Sequence, residues 1–190
     1  NHNMSRQLYL TLRSPYARKI QIILAEKGLD VELKIEDLQN KSPGFLALCP
    51  IAKVPVLLDE DQVIYDSTVI AEYLEDRYPQ APMYGSGWEG RLRSRLGEEL
   101  GDSLSDAAIV AFMSKDPAAV LKAQGQIERL LTHAELLLPG EFGVAAASLV
   151  SALGYLSFRH GESWKERYPQ LAAWAESLHA RPSVAATTPR

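Results

Sequence analysis

The spacing of apolar residues along the chain divides it into two stretches of different character. Residues 6–12 (Arg-Gln-Leu-Tyr-Leu-Thr-Leu) alternate roughly and read as a strand. Over residues 15–27 the period lengthens. Ile20, Ile23, Leu24 and Lys27 share one helical face, and Gly28 is placed to stop the helix at C′. Residues 31–35 alternate again as a strand, and residues 42–48 have room for a short helical turn. Residues 54–67 read as a hairpin that turns at Asp59-Glu60-Asp61. A helix over residues 67–79 presents Val69, Ile70, Tyr73 and Leu74 on one face. The order β-α-β-α-β-β-α predicts an α/β domain with a mixed sheet and helices on its faces, over residues 4–80. Residues 79–90 hold prolines and glycines with little periodicity and contain the predicted linker, 81–87. Beyond it only helical spacing is found, over residues 88–113, 117–138, 142–158 and 168–180. Asp116 caps the second of these ahead of Pro117, and Pro139-Gly140 ends it. Residues 143–156 are small and apolar nearly all round, as in a helix buried in a bundle. Residues 88–190 are therefore expected to form an all-helical C-terminal domain.

Composition changes this picture little. The net charge of −4 and the lack of a long basic run argue against a nucleic-acid partner. No apolar run approaches the ~18 residues of a spanning helix, so no membrane partner is expected. A lone cysteine, Cys49, excludes an internal disulfide and fits a reducing compartment, so a cytoplasmic location is expected. The "IILA" run near the start is too short for a signal peptide. The Asn-His-Asn ahead of Met4 is set aside, His2 with it.

Four short segments can carry chemistry, and each also has a plain structural reading. Ser14 before Pro15 is a common helix start. At the positive helix end its hydroxyl could also donate to a thiolate. Val54-Pro55 opens an apolar strand. A trans bond is the usual case, since only about 5–6% of X–Pro bonds are cis. A cis bond would turn the Val54 backbone outward to pair with an extended peptide. Asp66-Ser67 precedes a helix, with Ser67 as the predicted N-cap and Asp66 just outside it. Free N–H groups and a hydroxyl there suit a carboxylate, and Asp66 suits an ammonium. Lys53 is either a solvated lysine or the partner of a second carboxylate on the same peptide.

Taken together, "SPYARKI", "CPIAKVPVLLDEDQVIYDSTVIAEYLEDRYP" and "RYPQLAAWAESLHARPSV" resemble the glutathione transferase family, in particular its soluble bacterial members with an active-site serine. The resemblance implies a thioredoxin-like N-terminal domain and a helical bundle. It implies glutathione as co-substrate, with no other cofactor. The glutathione thiol would lie at Ser14, its cysteine main chain at Val54-Pro55 and its γ-glutamyl end at Asp66-Ser67. The thiolate would attack a small hydrophobic electrophile between the domains. Tyr16, Ala107, Val110 and Met113 are candidates for that pocket's wall, with ordinary interdomain core as their rival reading. A homodimer is implied, with Asp102 reaching the partner's glutathione ammonium. Asp102 and Asp106 share a helix face, which as plain structure is a solvated acidic stripe. No histidine stands at ligand spacing from them, so no metal is expected.

The sequence also departs from the family pattern. Cys49-Pro50 stands where the family usually has Asn-Pro. Gly143-Val144-Ala145-Ala146 replaces the usual capping box before the buried helix, which should weaken that helix start by about 1 kcal/mol or more. Two other functions fit the same fold: a non-catalytic glutathione-binding or adaptor protein, and a thiol–disulfide reductase. The reductase needs a cysteine where Ser14 stands.

Overall fold

The computed structural model describes residues 6–190, so His2 and its neighbours lie outside the described residues. Strand β1 (Gln7–Leu10) leads into helix α1 (Pro15–Glu26), and β2 (Glu32–Ile35) follows. A short helix α2 (Pro43–Leu48) precedes the hairpin of β3 (Val56–Asp59) and β4 (Gln62–Tyr65), and α3 (Ser67–Arg77) closes this half. The sheet order is β2-β1-β3-β4, with β1–β2 parallel and the other pairs antiparallel. This is the mixed sheet that the alternation predicts, and the fold is that of a thioredoxin-like domain. Register follows from burial. Leu8 stands opposite Leu57, and both are fully buried beneath Ile20, Ile23 and Leu24 of α1 and Ile70 and Leu74 of α3.

The second half is helical throughout: α4 (Gly87–Met113), α5 (Pro117–Leu136), α6 (Val144–His160), α7 (Trp164–Arg167), α8 (Pro169–Ser177), a 3-10 turn (Leu178–Ala180) and α9 (Pro182–Ala185). The two single-turn helices α7 and α9 are too short to leave an apolar period in the sequence. Helix α6 runs through the middle of the bundle, as its apolar surface requires, with Leu149, Ala152, Leu153 and Leu156 buried. Helix α4 lies directly against it. A Cβ on Gly101 would fall 2.3 Å from Ser148 Oγ, so only glycine permits that approach.

Helix α6 begins at Gly143 without any side-chain cap, as the missing capping box predicts. The expected weakness is met from elsewhere in the chain. The Met83 carbonyl, in the segment joining the two halves, accepts from the Val144 N–H at 2.7 Å and takes up one of the unpaired donors of the first turn. A Cβ on Gly143 would sit 2.6 Å from that oxygen, so the glycine makes room for the replacement.

The two halves are joined by α1 packing on α6 and α9, where Ile22 meets Ala147 and Val150 of α6 and Val184 of α9. They are joined a second time by charge. Lys19 of α1 is fully buried, with its Nζ 2.9 Å from both Glu98 Oε2 and Asp102 Oδ2 of α4. The Glu98 side chain is itself only 2% exposed and lacks an aligned hydrogen-bond donor at Oε2. Burial pushes its pKa above the usual carboxylate range, against the pull of Lys19. Among the described residues no helix is long and apolar enough to cross a membrane.

Candidate active site

One cavity of about 680 Å³ opens where the end of the sheet faces α4 and α6. Its sheet-side wall is made by the segments singled out in the sequence. Ser14 is the N-cap of α1, with Pro15 at the first helical position, and its Oγ accepts from the Ala17 N–H at 3.2 Å. That bond uses a lone pair of the oxygen and leaves the hydroxyl proton free to donate into the cavity. Capping and donation are therefore compatible, and the two readings of Ser14 do not compete.

The Val54–Pro55 bond is cis, and both residues line the cavity beside the exposed Lys53. Cys49 is buried against Phe45 and Val56, with Sγ directed at the Lys53 carbonyl at 3.6 Å. It is a packing residue and does not line the cavity.

The third corner differs from expectation by one position. Asp66, not Ser67, is the N-cap of α3, and its carboxylate accepts from the Val69 N–H at 3.2 Å. Two adjacent residues of capping type left the sequence ambiguous, and backbone conformation decides between them. Asp66 sits at φ +71°, a region costly for a residue with a Cβ but tolerated by Asp, so the chain turns there and Ser67 becomes the first helical residue. The Ser67 hydroxyl makes no hydrogen bond among the described residues and lines the cavity with Asp66 and Thr68.

The bundle-side wall needs larger corrections. Tyr16 and Met113 line the cavity as expected, but Ala107 and Val110 do not. Ala107 is buried in the bundle core and Val110 faces out. The cavity face of α4 is instead Glu99, Asp102, Asp106, Ile109 and Met113, a set spaced by three and four. Ala107 is one residue, about 100° of helix, past Asp106. Asp102 was expected to reach into a partner's site. The structure places it in its own chain's cavity, paired with Lys19 and accepting from Ser148 Oγ at 3.0 Å. Asp106 accepts a hydrogen bond from the Tyr16 hydroxyl, and burial together with that acceptor raises the phenol's pKa, keeping it protonated.

Tyr155 and Arg159, a helical turn apart on α6, complete the wall, and sequence reasoning missed both. Their i, i+4 spacing near the end of an apolar helix was the available signal. Arg13, Gln39 and Lys41 add polar lining around Ser14 and Lys53.

Comparison with known proteins shows the family to which this fold belongs. Residues 8–82 match the glutathione S-transferase N-terminal domain, and residues 118–177 the C-terminal domain. A GST-like protein of Escherichia coli K12, YibF, is 34% identical over 93% of this chain and 95% of its own length. The chain belongs to the glutathione S-transferase family. Solved family members superpose along nearly all of it. A glutathione S-transferase of Methylobacterium radiotolerans in complex with glutathione sulfonate has a TM-score of 0.91 at 31% identity, covering 98% of this chain and 95% of that one. A Pseudomonas fluorescens Pf-5 member with bound glutathione reaches 0.88 at 33% identity, covering 98% and 100%. In this family member, then, the corner formed by Ser14, Val54 and Asp66 belongs to a fold whose relatives hold glutathione.

Proposed function

We propose that the protein is a glutathione transferase that ionises the glutathione thiol at Ser14. The observation that carries this is the meeting of Ser14, cis Val54–Pro55 and Asp66-Ser67 in one cavity. The three corners offer what one tripeptide needs. The free N–H groups at the start of α3 and the Ser67 hydroxyl suit the γ-glutamyl carboxylate, and Asp66 suits its ammonium. The Val54 backbone suits the cysteine main chain, and Lys53 the far carboxylate. The sulfur then falls at Ser14. A free thiol has a pKa of about 8.5 and is only a few per cent ionised at neutral pH. A hydrogen bond from Ser14 and the positive end of α1 favour the thiolate. The thiol proton goes to solvent, and the sulfur attacks an electrophilic carbon held against α4 and α6; the C–S bond forms as the bond from that carbon to its leaving group breaks, and the group departs with the electron pair into solvent.

Asp102 borders the cavity of its own chain, where Lys19 and Ser148 hold its carboxylate. A cytoplasmic location fits the single free, buried cysteine. A homodimer fits the exposed stripe of Trp88, Leu92 and Leu96 on α4, in which Trp88 is 74% exposed. Isothermal titration with glutathione tests the reading, and absence of binding at millimolar ligand refutes it. Binding without turnover on a broad panel of electrophiles assigns the chain to a binding role instead.

A further inference from the structure

We infer that Arg159 receives a carboxylate on the second substrate, so that the preferred electrophiles are flat, apolar molecules bearing an acid group. This rests on the glutathione reading above and replaces the expectation of a purely hydrophobic substrate.

The argument begins with how Arg159 is held. Its Nε donates to the Tyr155 hydroxyl at 3.0 Å. Its guanidinium carbon lies 4.3 Å from the Phe112 ring centroid, 5.0 Å from that of Phe158 and 5.3 Å from that of Tyr155. The planar group is thus fixed by one hydrogen bond and by aromatic rings. Among the described residues its two terminal nitrogens have no hydrogen-bond partner, and no carboxylate lies within 4.0 Å. An arginine fork pre-oriented in this way and lining a cavity suits bidentate recognition of a carboxylate.

The acids across the cavity do not already fill that role. Asp102 is engaged by Lys19 and Ser148, and Asp106 by Tyr16. The space between these groups is bordered by Tyr16, Ile109, Met113 and Tyr155, which suits a planar apolar body. The plain structural alternative is that Arg159 only complements the C-terminal end of the α6 dipole. That alternative predicts no ligand preference.

The test compares two probes of nearly the same shape, one with a carboxylate and one with a neutral amide, S-(4-carboxybenzyl)glutathione and S-(4-carbamoylbenzyl)glutathione, by isothermal titration at low salt. The full chain is expected to bind the carboxylate roughly tenfold or more tighter, the scale of a hydrogen bond to a charged group. In Arg159→Gln the two affinities should converge, and Arg159→Lys should keep only part of the gap. Equal affinities in the unaltered protein overturn the inference. So does a gap that survives in Arg159→Gln, which would assign it to Arg13 or Lys41. Should circular dichroism show Arg159→Gln unfolded, the Arg159→Lys comparison decides in its place, and an undiminished gap overturns the inference. Glutathione binding without a gap removes this inference alone, whereas failure of glutathione and both probes to bind removes the glutathione reading and this inference with it.

Discussion

Replacing Lys19 with methionine tests how the two halves are held together. Methionine is unbranched, apolar and only one heavy atom shorter than lysine, so packing is nearly preserved and the charge is the main loss. Glu98 would then be buried without its cation. Asp102 is less affected, because it keeps the Ser148 hydroxyl and borders the cavity, where water can reach it. Breaking one partner out of a buried ion pair costs about 3–5 kcal/mol. For a chain of this size that corresponds to a melting temperature lower by roughly 6–20 °C. The loss should also depend on pH. The pKa of Glu98 is raised in the folded protein, so the folded state holds a proton more tightly than the unfolded chain. Its contribution to stability is therefore fully present below the ordinary carboxylate value. It is lost as pH rises through the window up to the raised value, and is constant above. Without Lys19 that window widens upward, so the gap between Lys19→Met and the unaltered protein should shrink as pH falls towards 5. Adding Glu98→Gln should restore about half of the loss or more, because it removes the stranded charge. Urea unfolding at pH 5 and pH 8, with slopes compared, measures the unaltered protein and both variants. A loss below about 1 kcal/mol, or one of equal size at both pH values, would show that the charges are not coupled as the geometry requires.

Three further outcomes follow from the site and its supports. Ser14→Ala should raise the pKa of the bound glutathione thiol, read from thiolate absorbance, and cost about 0.5–2 kcal/mol through the lost α1 cap; an unchanged thiol pKa would leave Ser14 a cap only. Asp66→Asn keeps a capping side chain that tolerates positive φ, so folding should persist while glutathione affinity falls by about tenfold with the loss of the charge partner; calorimetry that shows equal affinity would remove Asp66 from the site. Gly143→Ala should push the Met83 carbonyl away from the Val144 N–H and cost about 1–3 kcal/mol, seen as a lower urea midpoint, and an unchanged midpoint would show that the Met83 contact carries no weight.

The parts of the molecule legible in the sequence are those determined locally. The β-α-β-α-β-β-α order was readable because each element is bounded by a glycine, a proline or a capping residue close to it. Ser14, Val54-Pro55 and Asp66-Ser67 could be singled out for the same reason. What failed depended on distant partners or on helix phase. Ala107 and Val110 are apolar, whereas the cavity face of α4 carries Asp102, whose charge is matched by Lys19, and Asp106, which accepts from the Tyr16 hydroxyl on α1. Helix α6 is apolar on nearly every side, so only the i, i+4 spacing of Tyr155 and Arg159 near its end sets them apart. Lys19 reads as a surface lysine until the fold brings two acids to it. The choice between Asp66 and Ser67 as cap turned on a single backbone angle.

The contact between the Met83 carbonyl and the start of α6 also bears on the order in which the chain is made. A ribosome delivers residue 83 well before residue 143, and domains form from the N-terminus as they emerge. The acceptor for the central helix of the bundle is thus in place before that helix exists, anchored by the Met83 N–H, which donates to Glu75 at 3.0 Å. A circularly permuted chain that began in the bundle would release Gly143 first, and α6 would have to form its opening turn with that donor unmet.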